Sequence, residues 1–222
     1  MSAATVINGS GAERAADRSP VVQRSRARQV ELTKVVIDAA QRLVAARGDR
    51  FTIQELVKEA GIALQTFYRL FAGKDELLLA VLGDMIADHC AQLETAAQDL
   101  PDPVARVHFY VTAVLQLLDR DESPNGPRFI TAQHWRLYQL FPAEMSQATQ
   151  HFADMIARQL ELARTQGLLP DTDPPRDAWF VTQLVLTVYH QDAFADRGPG
   201  AGAIAEELWR FCRRALGPGP GG

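Results

Sequence analysis

Cysteine is nearly absent from this chain of 222 residues: there are two, Cys90 and Cys212, each inside an apolar helical pattern. So little cysteine excludes a disulfide framework and predicts reduced, packed thiols, as in a cytoplasmic protein. Long apolar runs are missing too, and none approaches the ~20 residues that a membrane span needs. The first residues lack the charged start and apolar stretch of a secretory signal. A cytoplasmic location with no membrane partner is therefore expected. The five histidines, His89, His108, His134, His151 and His190, form no pair at metal-ligand spacing with each other or with the cysteines. A GxSxG elbow, a P-loop and a Gly-rich dinucleotide turn are all lacking. These gaps leave a metal-dependent or hydrolytic enzyme as the weaker alternative, and predict no metal, no cofactor and no catalytic residue. Alternating strand patterns and internal repeats are missing as well, so the expected fold is all-α.

What is present is an uneven charge. The net of −4 divides into 12 Lys+Arg against 9 Asp+Glu over residues 1–80, and 11 against 18 over 81–222. All three lysines, Lys34, Lys58 and Lys74, lie in the first part. A basic end on an acidic body suits a local contact with a polyanion. Met1 to about residue 24 has no apolar period and reads as a disordered arm. Leu32, Val35, Val36, Ala39, Ala40, Leu43 and Val44 then recur at helical steps up to Gly48. Thr52 opens a short helix with Glu55 three residues on, a capping box, and Gly61 closes it. A brief helix over 63–70 follows, and a long one starts near Lys74. Further helices are expected over 104–118, 129–141, 143–166, 177–192 and 203–216. The 121–127 run is the clearest loop, 197–200 a break, and 218–222 a flexible tail. Asp173 is the expected cap ahead of Pro174 and Pro175.

Two short helices joined through Gly61, between longer ones, have the spacing of a helix-turn-helix. In that unit the second helix enters the major groove. Glycine suits the turn because it tolerates positive φ. The second helix divides by face: Phe67, Leu70 and Phe71 pack inward, while Gln65, Thr66, Tyr68 and Arg69 point outward with the donors and acceptors that phosphates and base edges require. Lys74 at the next helix start adds charge at an amide end that favours phosphate.

The run from Thr52-Ile53 through Glu59-Ala60-Gly61-Ile62 to Thr66-Phe67-Tyr68-Arg69-Leu70-Phe71-Ala72-Gly73-Lys74-Asp75-Glu76-Leu77 resembles the signature of the TetR family of bacterial transcriptional regulators. The specific resemblance spans about residues 30–80. It departs at Ala63, where the family often has a capping Ser or Thr, a loss on the order of 1 kcal/mol. The resemblance implies a three-helix DNA-binding domain at 25–77 and a helical ligand-binding and dimerisation domain at 78–217. It further implies that Thr52, Thr66, Tyr68 and Lys74 hold the DNA backbone, while Gln65 and Arg69 reach bases. The expected partners are double-stranded operator DNA, a second copy joined through helices 177–192 and 203–216, and a small effector. Such a protein is expected to act as a ligand-responsive regulator, most readily a repressor.

Aromatic and aliphatic surface in the second domain exceeds what one packed core needs. Phe109, Tyr110, Trp135, Tyr138, Phe152, Met155, Ile156 and Phe180 are candidate walls of a ligand pocket. His134, Gln159 and Gln183 are its candidate polar contacts. Pockets for small molecules are mostly apolar with a few placed polar groups, so a mostly apolar effector is expected. An architectural DNA binder without a sensor would leave this acidic helical domain unexplained.

Overall fold

The structure, a computed structural model, describes residues 19–117, 126–193 and 201–217. These form α1 (Pro20–Arg47), α2 (Ile53–Ala60), α3 (Leu64–Leu70), α4 (Lys74–Ala96), α5 (Pro103–Gln116), α6 (Gly126–Leu140), α7 (Pro142–Thr165), α8 (Pro174–Asp192) and α9 (Ala201–Ala215). No strand occurs among the described residues, so the fold is all-α, as the apolar periodicity predicts. Most of the expected arm (residues 1–18), most of the expected loop (121–125), the break at 197–200 and the tail at 218–222 lie outside the described residues.

Two boundaries differ from expectation. The first helix begins at Pro20, inside the stretch read as an arm, with proline at its first position. Residues 20–31 are exposed all round, so this part of α1 carries no apolar stripe by which its sequence announces a helix. The helix expected at 129 begins instead at Gly126 and takes in Pro127, because proline is well placed in a first helical turn.

Caps explain several other ends. Asp102 accepts the Ala105 N–H at 2.8 Å at the start of α5. Asp173 stands at the cap position of α8, but its side chain makes no capping bond. Instead Asp177 reaches back and accepts the Asp173 N–H at 2.8 Å. Either arrangement satisfies amides that a helix start leaves open.

The apolar faces close into two cores. The first joins Val36, Ala40 and Val44 of α1 to Leu56, Phe67, Phe71 and the α4 residues Leu77, Leu78, Val81 and Leu82; it continues into Phe129 and Leu137 of α6 and Met145 of α7. The second packs α4 beyond Cys90 against α5, α7, α8 and α9. The helix α4 thus belongs to both cores, and the division drawn at 77/78 runs through packed structure rather than through a linker. In α9, a helix expected at a dimer interface, Leu208, Trp209 and Cys212 are buried in the chain's own core, whereas Phe211 is 53% exposed.

Candidate functional site

The reader is built from α2, a turn and α3. The Thr52 hydroxyl accepts the Glu55 N–H at 3.2 Å, and the Thr52 N–H donates to the Glu55 carboxylate at 2.7 Å. This is the capping box that the sequence predicts, and the Thr52 backbone bond holds the Glu55 carboxyl below its usual range. Gly61 ends α2 at φ 66, in the left-handed region, where a side chain at Cβ is strained. The chain then turns into α3, whose start has Ala63 and no side-chain cap, as the departure at that position implies.

Phe67 and Phe71 anchor α3, with their rings stacked at 5.8 Å and both buried. Gln65, Tyr68 and Arg69 are exposed, and with the half-buried Thr66 they line one shallow surface depression. Tyr68 rests edge-on against Phe67 at 5.2 Å and remains 54% exposed. Four polar side chains therefore share one outward face on a helix that the core holds rigid. Donors and acceptors so arranged suit base edges and phosphates.

Lys74 is placed differently. Its ammonium donates to the carbonyls of Asp49 and Phe51, the latter at 2.7 Å, and sits 4.5 Å from the centre of the Phe51 ring. Two of its three N–H groups thus clamp the α1–α2 turn to the start of α4. The Thr52 hydroxyl also donates to Glu55, at 3.0 Å. Neither residue is as free for a phosphate as those of α3.

A second site lies deeper. A cavity of about 460 Å³ is walled by α1 (Gln41, Val44, Ala45), α4 (Met85, Ile86, Asp88, His89, Cys90, Gln92), the end of α5, α6 through His134, α7 (Thr149, Phe152) and α8 (Val185, Leu186, Tyr189, His190). Of the eleven expected pocket residues, Phe152 and the polar contact His134 line it. Tyr110 and Met155 are buried in the second core, and Phe109 packs against that core. Gln159 is also buried, away from the cavity walls, and Gln183 is exposed. Trp135 and Tyr138 are exposed, but they border the cavity's imidazoles from outside: Tyr138 stacks on His134 and Trp135 lies 5.9 Å from His190.

The lining residues missed include Met85, His89, Tyr189 and His190. His134 and His190, on α6 and α8, bring their ring centres to 4.5 Å. Burial lowers the pKa of both, that of His190 to about 4 with help from His134, so both are neutral at pH 7. Burial likewise raises the Cys90 thiol to about 11. No periodicity links two histidines so far apart in sequence; only the packing of α6 against α8 does.

A core-held helix with a polar outward face, set behind a capped helix and a glycine turn, defines a helix-turn-helix DNA-binding protein. Residues 36–81 match the family model of bacterial regulatory proteins, tetR family. They form a TetR-family DNA-binding domain, as the motif's resemblance implies, and the described residues have the all-helical fold of such regulators. The chain is similar to a TetR-family transcriptional regulator from Pectobacterium atrosepticum, with a TM-score of 0.68 at 17% identity over 86% of this chain and 95% of that one. It is also similar to the transcriptional regulator FadR from Bacillus subtilis in complex with stearoyl-CoA, with a TM-score of 0.63 at 14% identity over 81% and 96%. AibR in complex with isovaleryl coenzyme A and operator DNA gives 0.55 at 20% identity over 81% and 97%. At these identities the likeness is one of fold. No curated protein sequence matches the chain.

Proposed function

We propose that this protein is a ligand-responsive transcriptional repressor that binds a palindromic operator as a homodimer and takes a small, mostly apolar effector in the cavity between α1, α4, α6, α7 and α8. The outward face of Gln65, Thr66, Tyr68 and Arg69 carries the reading, because rigid presentation of such groups on a short helix is what major-groove recognition requires. FadR and AibR, of the same fold, hold acyl thioesters of coenzyme A, which supports a small-molecule effector for this chain.

Transmission has a physical route. On α6, His134 faces the cavity, Gln133 donates to the Asp49 carboxylate at 3.0 Å, and Arg136 donates to Asp75 at 2.7 Å. Asp49 sits in the turn after α1 and Asp75 beside Lys74, so α6 holds the reader at the same two points that Lys74 joins. A ligand alters DNA binding only through a difference in its affinity for two arrangements, and a cavity walled by α1 and α6 supplies such a difference directly. Fluorescence anisotropy of a labelled operator, titrated with protein with and without effector, tests the proposal. Binding that is sequence-specific, less selective in Arg69→Ala and weakened by effector supports it; binding indifferent to sequence contradicts it.

A further inference from the structure

The cavity has one feature that a plain apolar pocket would not carry. Its walls are mostly Met85, Ile86, Val114, Leu117, Phe152 and Leu186, yet two imidazoles meet on one side, 4.5 Å apart. The Nε2 atom of His190 is shielded from solvent and makes no hydrogen bond. Buried polar atoms are nearly always paired, so an unpaired one on a ring of the cavity wall is a group that a small turn of the imidazole would offer to a ligand's polar group.

We propose that the His134–His190 pair is the head-group site for an apolar monocarboxylic acid, whose hydrocarbon part fills the rest of the cavity. The proposal deepens the effector reading above and rests on it.

Charge balance selects the acid. The other titratable groups on the cavity wall are Asp88, His89 and Cys90 from α4 and Tyr189 from α8; α1, α5 and α7 contribute none. Burial keeps the Cys90 thiol and the Tyr189 phenol protonated, and Asp88 is exposed at the rim. No protein carboxylate is therefore buried beside the pair to neutralise a bound cation. A carboxyl group needs none: one proton shared between it and the two imidazoles leaves the assembly neutral, with donors and acceptors matched in either protonation state. A coenzyme A ester fits less well, since its phosphates seek cations. Outside the wall, burial raises the Asp84 carboxyl, the Asp88 and Asp38 charges raise it further, and Lys34 lowers it.

A carboxylate entering at pH 7 must bring a proton with it, because the pair is neutral when empty. Calorimetric titration of the full-length protein with decanoate, in buffers of differing ionisation enthalpy, measures that proton directly and involves no DNA. Uptake of about half to one proton at pH 7 is expected, with affinity falling by up to about tenfold per pH unit between pH 6 and pH 8. Decanol should bind more weakly and without pH dependence. His190→Gln and His134→Gln, their folding checked by thermal melts, should each remove the proton uptake. Decanoate binding without proton uptake, decanol matching decanoate, or decylamine binding more tightly than either would overturn the acid site while leaving an effector cavity. Binding of none of the three would overturn the cavity reading as well.

Discussion

Lys74 shows how a residue's type and its work can part. A cation at the start of α4 suits a phosphate, yet two of its three donors are taken by the Asp49 and Phe51 carbonyls. Charge-assisted bonds of this kind contribute about 1.5–3 kcal/mol each at their strongest. Lys74→Met keeps the stem over Phe51 and removes the donors, so it should lower stability by about 1–3 kcal/mol in urea unfolding. An unchanged midpoint would show that the clamp contributes nothing. His190 gives the other prediction at this scale. Its folded pKa, about 4, lies below the ordinary value of 6.5. As pH falls below 6.5 the unfolded chain takes up the proton first, so the stability that neutral burial contributes is complete above 6.5 and is lost between 6.5 and 4. The ligand-free protein should therefore melt at a lower temperature at pH 5 than at pH 7, and His190→Gln should shrink that difference. Both residues were beyond sequence reasoning for one cause. Lys74 meets carbonyls more than twenty positions away, and His190 meets a ring on another helix, and neither contact leaves a local pattern.

Elements were more legible than residues. The capping box at Thr52 and the glycine at Gly61 depend on neighbours within four positions, and both stand as the spacing predicts. The inward face of α3 followed from Phe67 and Phe71 for the same reason. The start of α1 did not, because an exposed helical segment carries no apolar stripe. The pocket walls did not either: an aromatic residue on an amphipathic helix looks the same whether it fills a core, as Tyr110 does, or lines a cavity, as Phe152 does. Gly61→Ala tests the turn. No atom lies within 4 Å of an added Cβ, so the loss should be the conformational term alone, about 1–2 kcal/mol, read by thermal unfolding. On α6, Arg136→Ala removes one exposed tie, worth on the order of 1 kcal/mol or less to stability. It should leave effector binding unchanged in calorimetry while reducing the effector's influence on operator affinity. An undiminished response would place the coupling elsewhere.

At the scale of the whole molecule, α8 and α9 each carry an uncovered apolar surface. Trp179 and Phe180 on α8 and Phe211 on α9 are each about half exposed, while Val181, Val185 and Tyr189 fill the opposite face of α8. Exposed aromatic surface of this kind marks an interaction site, and a reader of a palindrome needs a two-fold partner. Phe180→Asp or Phe211→Asp should give monomers in light scattering, with helicity kept and operator affinity reduced; dimers that persist in both variants would move the interface away from α8 and α9. The central claim is that α3 reads DNA sequence through Gln65 and Arg69, and selection of bound duplexes from a random library measures it most directly. A palindrome with half-sites one helical turn apart should be enriched. Arg69→Ala and Gln65→Ala should each relax symmetric base positions, by ~1–3 kcal/mol. A library that shows no enriched sequence, or an enriched sequence that both variants bind unchanged, would contradict it.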